Sequence, residues 1–271
     1  MQIVKRLLDF YLNSSIHVAL SVYALVKITG FLFQISTIEN TALFAFFGTI
    51  VGYNFVKYDA LARTQKLQMR YQLKAIVVLS FLSFLVCGFY FFQLASQTKI
   101  VALVFLLLTL LYTLPFFPNR KNARNWAGVK IYIVALCWVG VTLFLPILDS
   151  GQSLTAAVFL VAVQRYILIF VLVLIFEIID LQYDDPHLKT VPQQIGVVRT
   201  KTLGTLLLVG FIVLEFLYAD FNWQALMLKS GIAGSVLLFL LFAQENRSKY
   251  YSAFWAESIP ILWWILLVLV Q

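Results

Sequence analysis

Long apolar runs, separated by short polar connections, dominate the chain. Nine such runs lie at approximately 16–36, 41–57, 73–94, 99–116, 128–147, 155–181, 201–219, 223–243 and 251–270. A helix needs about 20 mostly apolar residues to cross a bilayer. In lipid a helix satisfies its own backbone hydrogen bonds, so the runs predict an all-α polytopic membrane protein. Before them, MQIVKRLLDFYLNSS places Ile3, Val4, Leu7, Leu8 and Tyr11 at helical spacing, with Lys5, Arg6 and Asp9 between them. That pattern predicts a short amphipathic helix over 1–15 lying on the membrane surface. With no internal repeat or low-complexity linker, 1–271 reads as one domain.

Composition agrees: 62% of the 271 residues are hydrophobic and 12% charged, unlike an ordinary soluble domain. The placement of the charges adds orientation. Lys5 and Arg6 precede the first run. Lys57, Arg63, Lys66, Arg70 and Lys74 follow the second, and Arg120, Lys121, Arg124 and Lys130 follow the fourth. Lys189, Arg199 and Lys201 follow the sixth, with Arg247 and Lys249 after the eighth. These sixteen basic residues stand against Lys99 alone on the other side. The positive-inside rule puts the N-terminus and these loops in the cytoplasm and the C-terminus outside. The net charge of +8 is then a topology signal, and no basic stripe on a soluble domain suggests nucleic-acid binding. Cys87 and Cys137 lie within apolar runs and read as free thiols, and His17 and His187 form no metal-ligand spacing.

Candidate chemistry gathers in the cytoplasmic connections. The sixth run ends in IFEIIDLQYDDPHLKTVPQQIG. Spacings of three and four put Glu177, Asp180 and Asp184 on one helical face, with Asp185 beside them. Acids at a membrane helix end are expensive without a positive occupant, and a hard divalent cation such as Mg2+ suits their oxygens. The connection after the second run carries Asn54, Lys57, Tyr58, Asp59 and Arg63. The one after the fourth carries Tyr112, Arg120, Lys121 and Arg124, and Lys189 follows the acids. An amide with one acid, a basic cluster and an acid cluster together suit a diphosphate held partly through Mg2+ and partly by cationic side chains.

EIIDLQYDDPHLKTVPQQIG resembles the second aspartate-rich motif of the UbiA-type intramembrane prenyltransferases. Glu177, Asp180 and Asp184 fall on its acidic positions, and Lys189, Thr190, Pro192 and Gly196 continue the pattern. YTLPFFPNRK is similar to a second family segment at Tyr112, Pro115, Arg120 and Lys121. In the first aspartate-rich motif only Asn54 matches. Phe55, Tyr58 and Ala62 occupy the acidic positions, and Asp59 is shifted by one residue. The resemblance implies nine helices around a central cavity and transfer of a prenyl group from a prenyl diphosphate to a lipophilic acceptor, such as an aromatic or quinone precursor. It implies Mg2+ on Glu177, Asp180 and Asp184, with Asn54 and Asp59 as further metal ligands. Asp180, Asp184 and Lys189 become the catalytic candidates, and Asn54, Lys57, Arg63, Tyr112, Arg120, Lys121 and Lys189 the substrate-binding ones. No protein partner is implied. A non-catalytic or altered-activity relative and a membrane transporter remain alternative readings.

Charges inside the runs complete the expectations. Lys229 and Glu215 lie close enough to run ends to reach water, whereas Arg165 and Glu257 are deeper and could pair with each other. Tyr112, Tyr132 and Tyr166 are candidate aromatic residues because their spans adjoin the polar openings.

Overall fold

A computed structural model describes residues 2–64, 71–113, 128–219 and 221–269. It contains helices at every expected position and no strand among the described residues. In order these are α1 (Gln2–Asn13), α2 (Ile16–Leu32), α3 (Ile38–Thr64), α4 (Tyr71–Gln93) and α5 (Ser96–Thr113), then α6 (Lys130–Val139) and α7 (Leu145–Asp149). There follow α8 (Ala156–Ile179), α9 (Val191–Val213), α10 (Trp223–Phe242) and α11 (Ile259–Leu269). Among the described residues, six segments are long and apolar enough to cross a membrane. The pair α1 and α2, bent by 57°, makes up to seven if counted as one span. The chain is therefore an all-helical integral membrane protein.

Local chemistry moves several boundaries. A π-helical turn, Gly140–Phe144, joins α6 to α7. Pro146 has no N–H, so the Thr142 carbonyl one turn earlier lacks its helical donor. α9 starts at Val191, ten residues before the expected run, with Pro192 in its first turn and the Gln193 side chain accepting from the Thr190 N–H at 2.9 Å. Gly196 then breaks the helix geometry at φ 80°. A second π turn, Tyr251–Ala256, precedes α11.

Packing singles out α8. Leu168, Ile169, Leu174, Ile175 and Ile178 are buried with Leu25 and Ile28 of α2, Phe211 of α9 and Val236 and Leu240 of α10. α4, by contrast, exposes Val77, Val78, Phe81, Leu85 and Phe89, side chains suited to lipid. Apolar side chains gain little by leaving lipid, so close approach matters more than transfer from water. Glycines permit it. A Cβ at Gly140 would stand 1.9 Å from Phe105 Cζ of α5, and one at Gly204 of α9 2.5 Å from Leu240 Cδ2 of α10.

Two interior polar groupings correct the sequence reading. Lys229 and Glu215 do not reach outward: Lys229 Nζ donates to Glu215 Oε2 at 2.5 Å and to Gln164 Oε1 at 3.0 Å, with both charged side chains buried. Each is too far inside the contact of α8, α9 and α10 to find water, so the two neutralise each other. Nor does Arg165 pair with Glu257. Its Nη1 donates to the Thr142 carbonyl at 2.7 Å and to Thr29 Oγ1 at 2.6 Å. Thr29 Oγ1 also donates to that carbonyl, at 2.6 Å. The acceptor left open by Pro146 thus attracts the arginine.

Candidate functional site

α8 carries its buried stripe to Ile179 and ends there, with Asp180 as its C-cap. The chain then turns, the N–H groups of Tyr183 and Asp184 donating to the Asp180 carbonyl at 2.8 and 2.9 Å. Glu177, Asp180 and Asp184 therefore do not share one helical face. The helix stops too early, and Asp184 returns toward the other two through a turn. All three remain within electrostatic reach, and Lys130, at the start of α6, faces Glu177 and Asp180.

The three acids differ in their surroundings. Glu177 is buried, and its Oε2 accepts from the Val191 N–H at 3.0 Å. That bond sits at the N-terminus of α9, where unpaired N–H groups and the helix dipole favour a carboxylate. Asp180 keeps an exposed edge, yet loss of water around the rest pushes its carboxyl above the usual range. The charge of Asp184 pushes the same way, and Lys130 pulls against both. Asp184 Oδ2 is buried without a hydrogen-bond partner. Two repelling carboxylates with one orphaned oxygen suit a small cation. Among the described residues, however, no three His, Cys, Asp or Glu side chains are grouped to hold a metal ion. Glu177 is already committed to α9.

Next to the acids, Asp185 Oδ1 accepts from the His187 N–H at 2.9 Å and starts a single 3-10 turn, Pro186–Leu188. Lys189 follows in left-handed geometry, φ 45°, with its side chain exposed. The Gly128 N–H donates to the Leu188 carbonyl at 3.0 Å, tying the entry to α6 against this turn. That tie brings Lys130 to the acids, a role its place among many loop cations did not reveal.

The first-motif residues have different partners. Asn54 is buried, and its Nδ2 donates to the Ser14 carbonyl at 3.1 Å and to Ser80 Oγ at 2.9 Å. Its Oδ1 is buried and unpartnered. Lys57 Nζ donates to Ser15 Oγ at 3.2 Å and to the Leu12 carbonyl at 3.4 Å, and the Tyr58 hydroxyl to the Asn13 carbonyl at 2.9 Å. Together they satisfy carbonyls that the end of α1 leaves open. Arg120, Lys121 and Arg124 lie outside the described residues, as do the side chains of Asp59, Arg63 and Tyr112.

A pocket of about 230 Å³ opens between α6, α8 and α9, lined by Tyr132, Tyr166, Ile167, Phe170, Leu203 and Leu207. The Phe170 ring centre lies 5.4 Å from that of Tyr132 and 6.1 Å from that of Tyr166. Tyr166, Phe170, Val173 and Glu177 follow one another along a single stripe of α8, at spacings of four, three and four. Phe170 is thus about 10 Å along the helix from Glu177. An acidic, polar end and an apolar, ring-lined recess share one helix face.

No protein-family model and no curated protein matches this sequence. Solved structures do match. A UbiA homolog from Archaeoglobus fulgidus, bound to GPP and Mg2+, aligns over 96% of this chain and 99% of its own, with a TM-score of 0.61 and 14% identity. The same homolog bound to Cd2+ gives a TM-score of 0.59 at 14% identity, over 94% of this chain and 97% of its own. Digeranylgeranylglyceryl phosphate synthase aligns over 98% of this chain and 100% of its own, with a TM-score of 0.57 and 14% identity. Identity this low carries architecture alone, and the architecture extends over nearly the whole chain: it has the UbiA-type fold.

Proposed function

We propose that this chain is an intramembrane prenyltransferase, moving a prenyl group from a prenyl diphosphate to a lipophilic acceptor of the aromatic or quinone-precursor kind. The observation that carries the reading is the shared stripe of α8, with Glu177 and the Asp180–Asp184 turn at its end and the pocket of Tyr132, Tyr166 and Phe170 beneath. A diphosphate belongs at the first and a hydrocarbon chain in the second. A neighbour of the same fold bound to GPP and Mg2+ supports a prenyl diphosphate as substrate.

Asp180 and Asp184 would hold Mg2+, which when bound supplies positive charge to the diphosphate. Glu177 positions the start of α9 against the acids. Lys130 and Lys189 add cationic charge at the same end, joined in this reading by Arg63, Arg120 and Lys121 from the neighbouring connections, with the Tyr112 hydroxyl as a neutral donor. In this reading Asn54, through its unpartnered Oδ1, and Asp59 would add metal ligands, and Lys57 would contact the diphosphate. In the transfer, the allylic C1–O bond breaks with its electron pair remaining on diphosphate. The acceptor then donates a pair to C1 and releases a proton. Tyr166 and Phe170 line the recess that the hydrocarbon chain would enter.

The proposed topology has nine spans, with the N-terminus and the acidic turn cytoplasmic and the C-terminus outside. A reporter after Gln271 should be extracytoplasmic and one near Lys66 cytoplasmic; a shared compartment refutes this. For the site, Asp180→Asn should weaken Mg2+-dependent binding of a prenyl diphosphate at least tenfold, roughly 1.4 kcal/mol. Unchanged binding at equal Mg2+ would remove Asp180 from the site. Failure of the parent chain to consume any prenyl diphosphate would reject the activity.

A further inference from the structure

We propose that α1 is a docking surface for anionic lipid, inserting Ile3, Val4 and Leu7 among the headgroups while Lys5 and Arg6 contact their charges. This inference stands apart from the prenyl-transfer reading. Ile3, Val4 and Leu7 are 72%, 69% and 65% exposed, although they form the apolar side of a helix. At about 100° per residue they centre near Leu7, and Asp9 falls roughly half a turn away.

That opposite side is fastened to the body. Asp9 Oδ1 accepts from Lys249 Nζ at 2.8 Å and from the Tyr250 hydroxyl at 2.7 Å, both just before the last span. Closer to the C-terminus of α1, Asn54, Lys57 and Tyr58 hold the carbonyls of Ser14, Leu12 and Asn13. Leu12 itself is buried. A helix fastened from Asp9 to its C-terminus cannot roll its apolar face inward, so the exposure of Ile3, Val4 and Leu7 belongs to the fold.

The bilayer is the occupant that fits. α1 leads into α2 through the 57° bend, so it leaves the axis of a membrane-embedded helix and runs along its end. Lys5 and Arg6 are exposed to either side of Asp9, and their long stems let the charges reach headgroups while the helix lies at the interface. A second copy fits poorly, because three apolar side chains form too small a patch for a protein interface.

The full chain in nanodiscs tests this. In a background with Cys87→Ser and Cys137→Ala, a nitroxide is placed at position 4 through Val4→Cys. The discs contain phosphatidylcholine alone or with about one-third phosphatidylglycerol, enough to give a negative surface. Oxygen collisions should exceed those with a water-soluble nickel chelate severalfold in the anionic discs and by less in the neutral ones. Lys5→Gln with Arg6→Gln should abolish that difference between lipids. Footprinting of the unmodified chain with hydroxyl radicals gives an independent reading: Ile3, Val4 and Leu7 should be at least twofold better protected in the anionic discs. Nickel access equal to oxygen access in both discs overturns the proposal. So does protection that ignores lipid charge, or spin–spin broadening that reports a second copy at position 4.

Discussion

Replacing Lys229 with Met probes how this fold tolerates charge inside the membrane. The Lys229 and Glu215 side chains are 7% and 5% exposed, and the ammonium also lies 4.7 Å from the centre of the Tyr218 ring. The substitution removes the ion pair and the bond to Gln164 Oε1 while preserving most of the volume. Glu215 then retains one neutral donor, Gln164 Nε2 at 3.0 Å, and Gln164 Oε1 retains the Tyr218 hydroxyl at 2.9 Å. Breaking a buried pair by removing one partner costs about 3–5 kcal/mol in water-soluble proteins. Polar contacts between membrane helices average about 0.6 kcal/mol, because helices separated in lipid find other partners. The charge decides between these values: a lone carboxylate with one neutral donor is poorly matched, and we expect a loss of about 2–3 kcal/mol. The double variant Lys229→Met/Glu215→Gln should return to within about 1 kcal/mol of the parent, because no charge is stranded. Reversible unfolding by SDS titration in mixed micelles, followed by far-ultraviolet circular dichroism, measures all four corners of the cycle. A coupling energy below about 0.5 kcal/mol would refute the reasoning and return both residues to independent contact with water.

Gly140→Ala should destabilise the chain by about 1–3 kcal/mol through overpacking against Phe105, with Phe105→Ala restoring part of the loss in the same titration. Arg165→Met should destabilise more than Arg165→Lys, because lysine can still donate to the Thr142 carbonyl; equal losses in thermal unfolding would contradict that role. The Asp180 carboxyl is raised above its ordinary 3.8, chiefly by burial and then by Asp184. Without a cation its contribution to stability is present at low pH and lost as pH rises through the folded value. A cation competes with that proton, so Mn2+ affinity should fall as pH drops through a window lying above 3.8. Mn2+ binding followed by electron paramagnetic resonance reads this directly, and affinity independent of pH would contradict it.

The apolar runs placed helices well, because a membrane span needs only length and hydrophobicity. Exact ends depended on chemistry that periodicity does not carry. Pro146 produced a π turn and Thr190 with Gln193 began α9 early. Spacing predicted one acidic face from Glu177 to Asp184, but nothing in it revealed that α8 stops at Ile179. Lys130 was visible only as one loop cation among many; the Gly128–Leu188 bond gives it its position. Snorkelling was a fair expectation for Lys229 from its distance to a run end, until α8 supplied Gln164 as a common partner. The function of Asn54 and Lys57 was least legible, because their partners are backbone carbonyls and any sequence can supply those.

The arginine on α8 also bears on how the chain enters the membrane during synthesis. All three groups that receive its Nη1, on Thr29 and Thr142, precede it in the chain. An arginine at the centre of an isolated span adds about 2.5–3.5 kcal/mol to insertion. Here, by the time α8 emerges, its acceptors are already made, and the helix can move from translocon to bilayer beside α2 and the π turn. The glutamate and lysine farther along the chain keep the same order: Gln164 is in place first and waits for both. Vectorial synthesis thus delivers Arg165, Glu215 and Lys229 after a partner that can receive each.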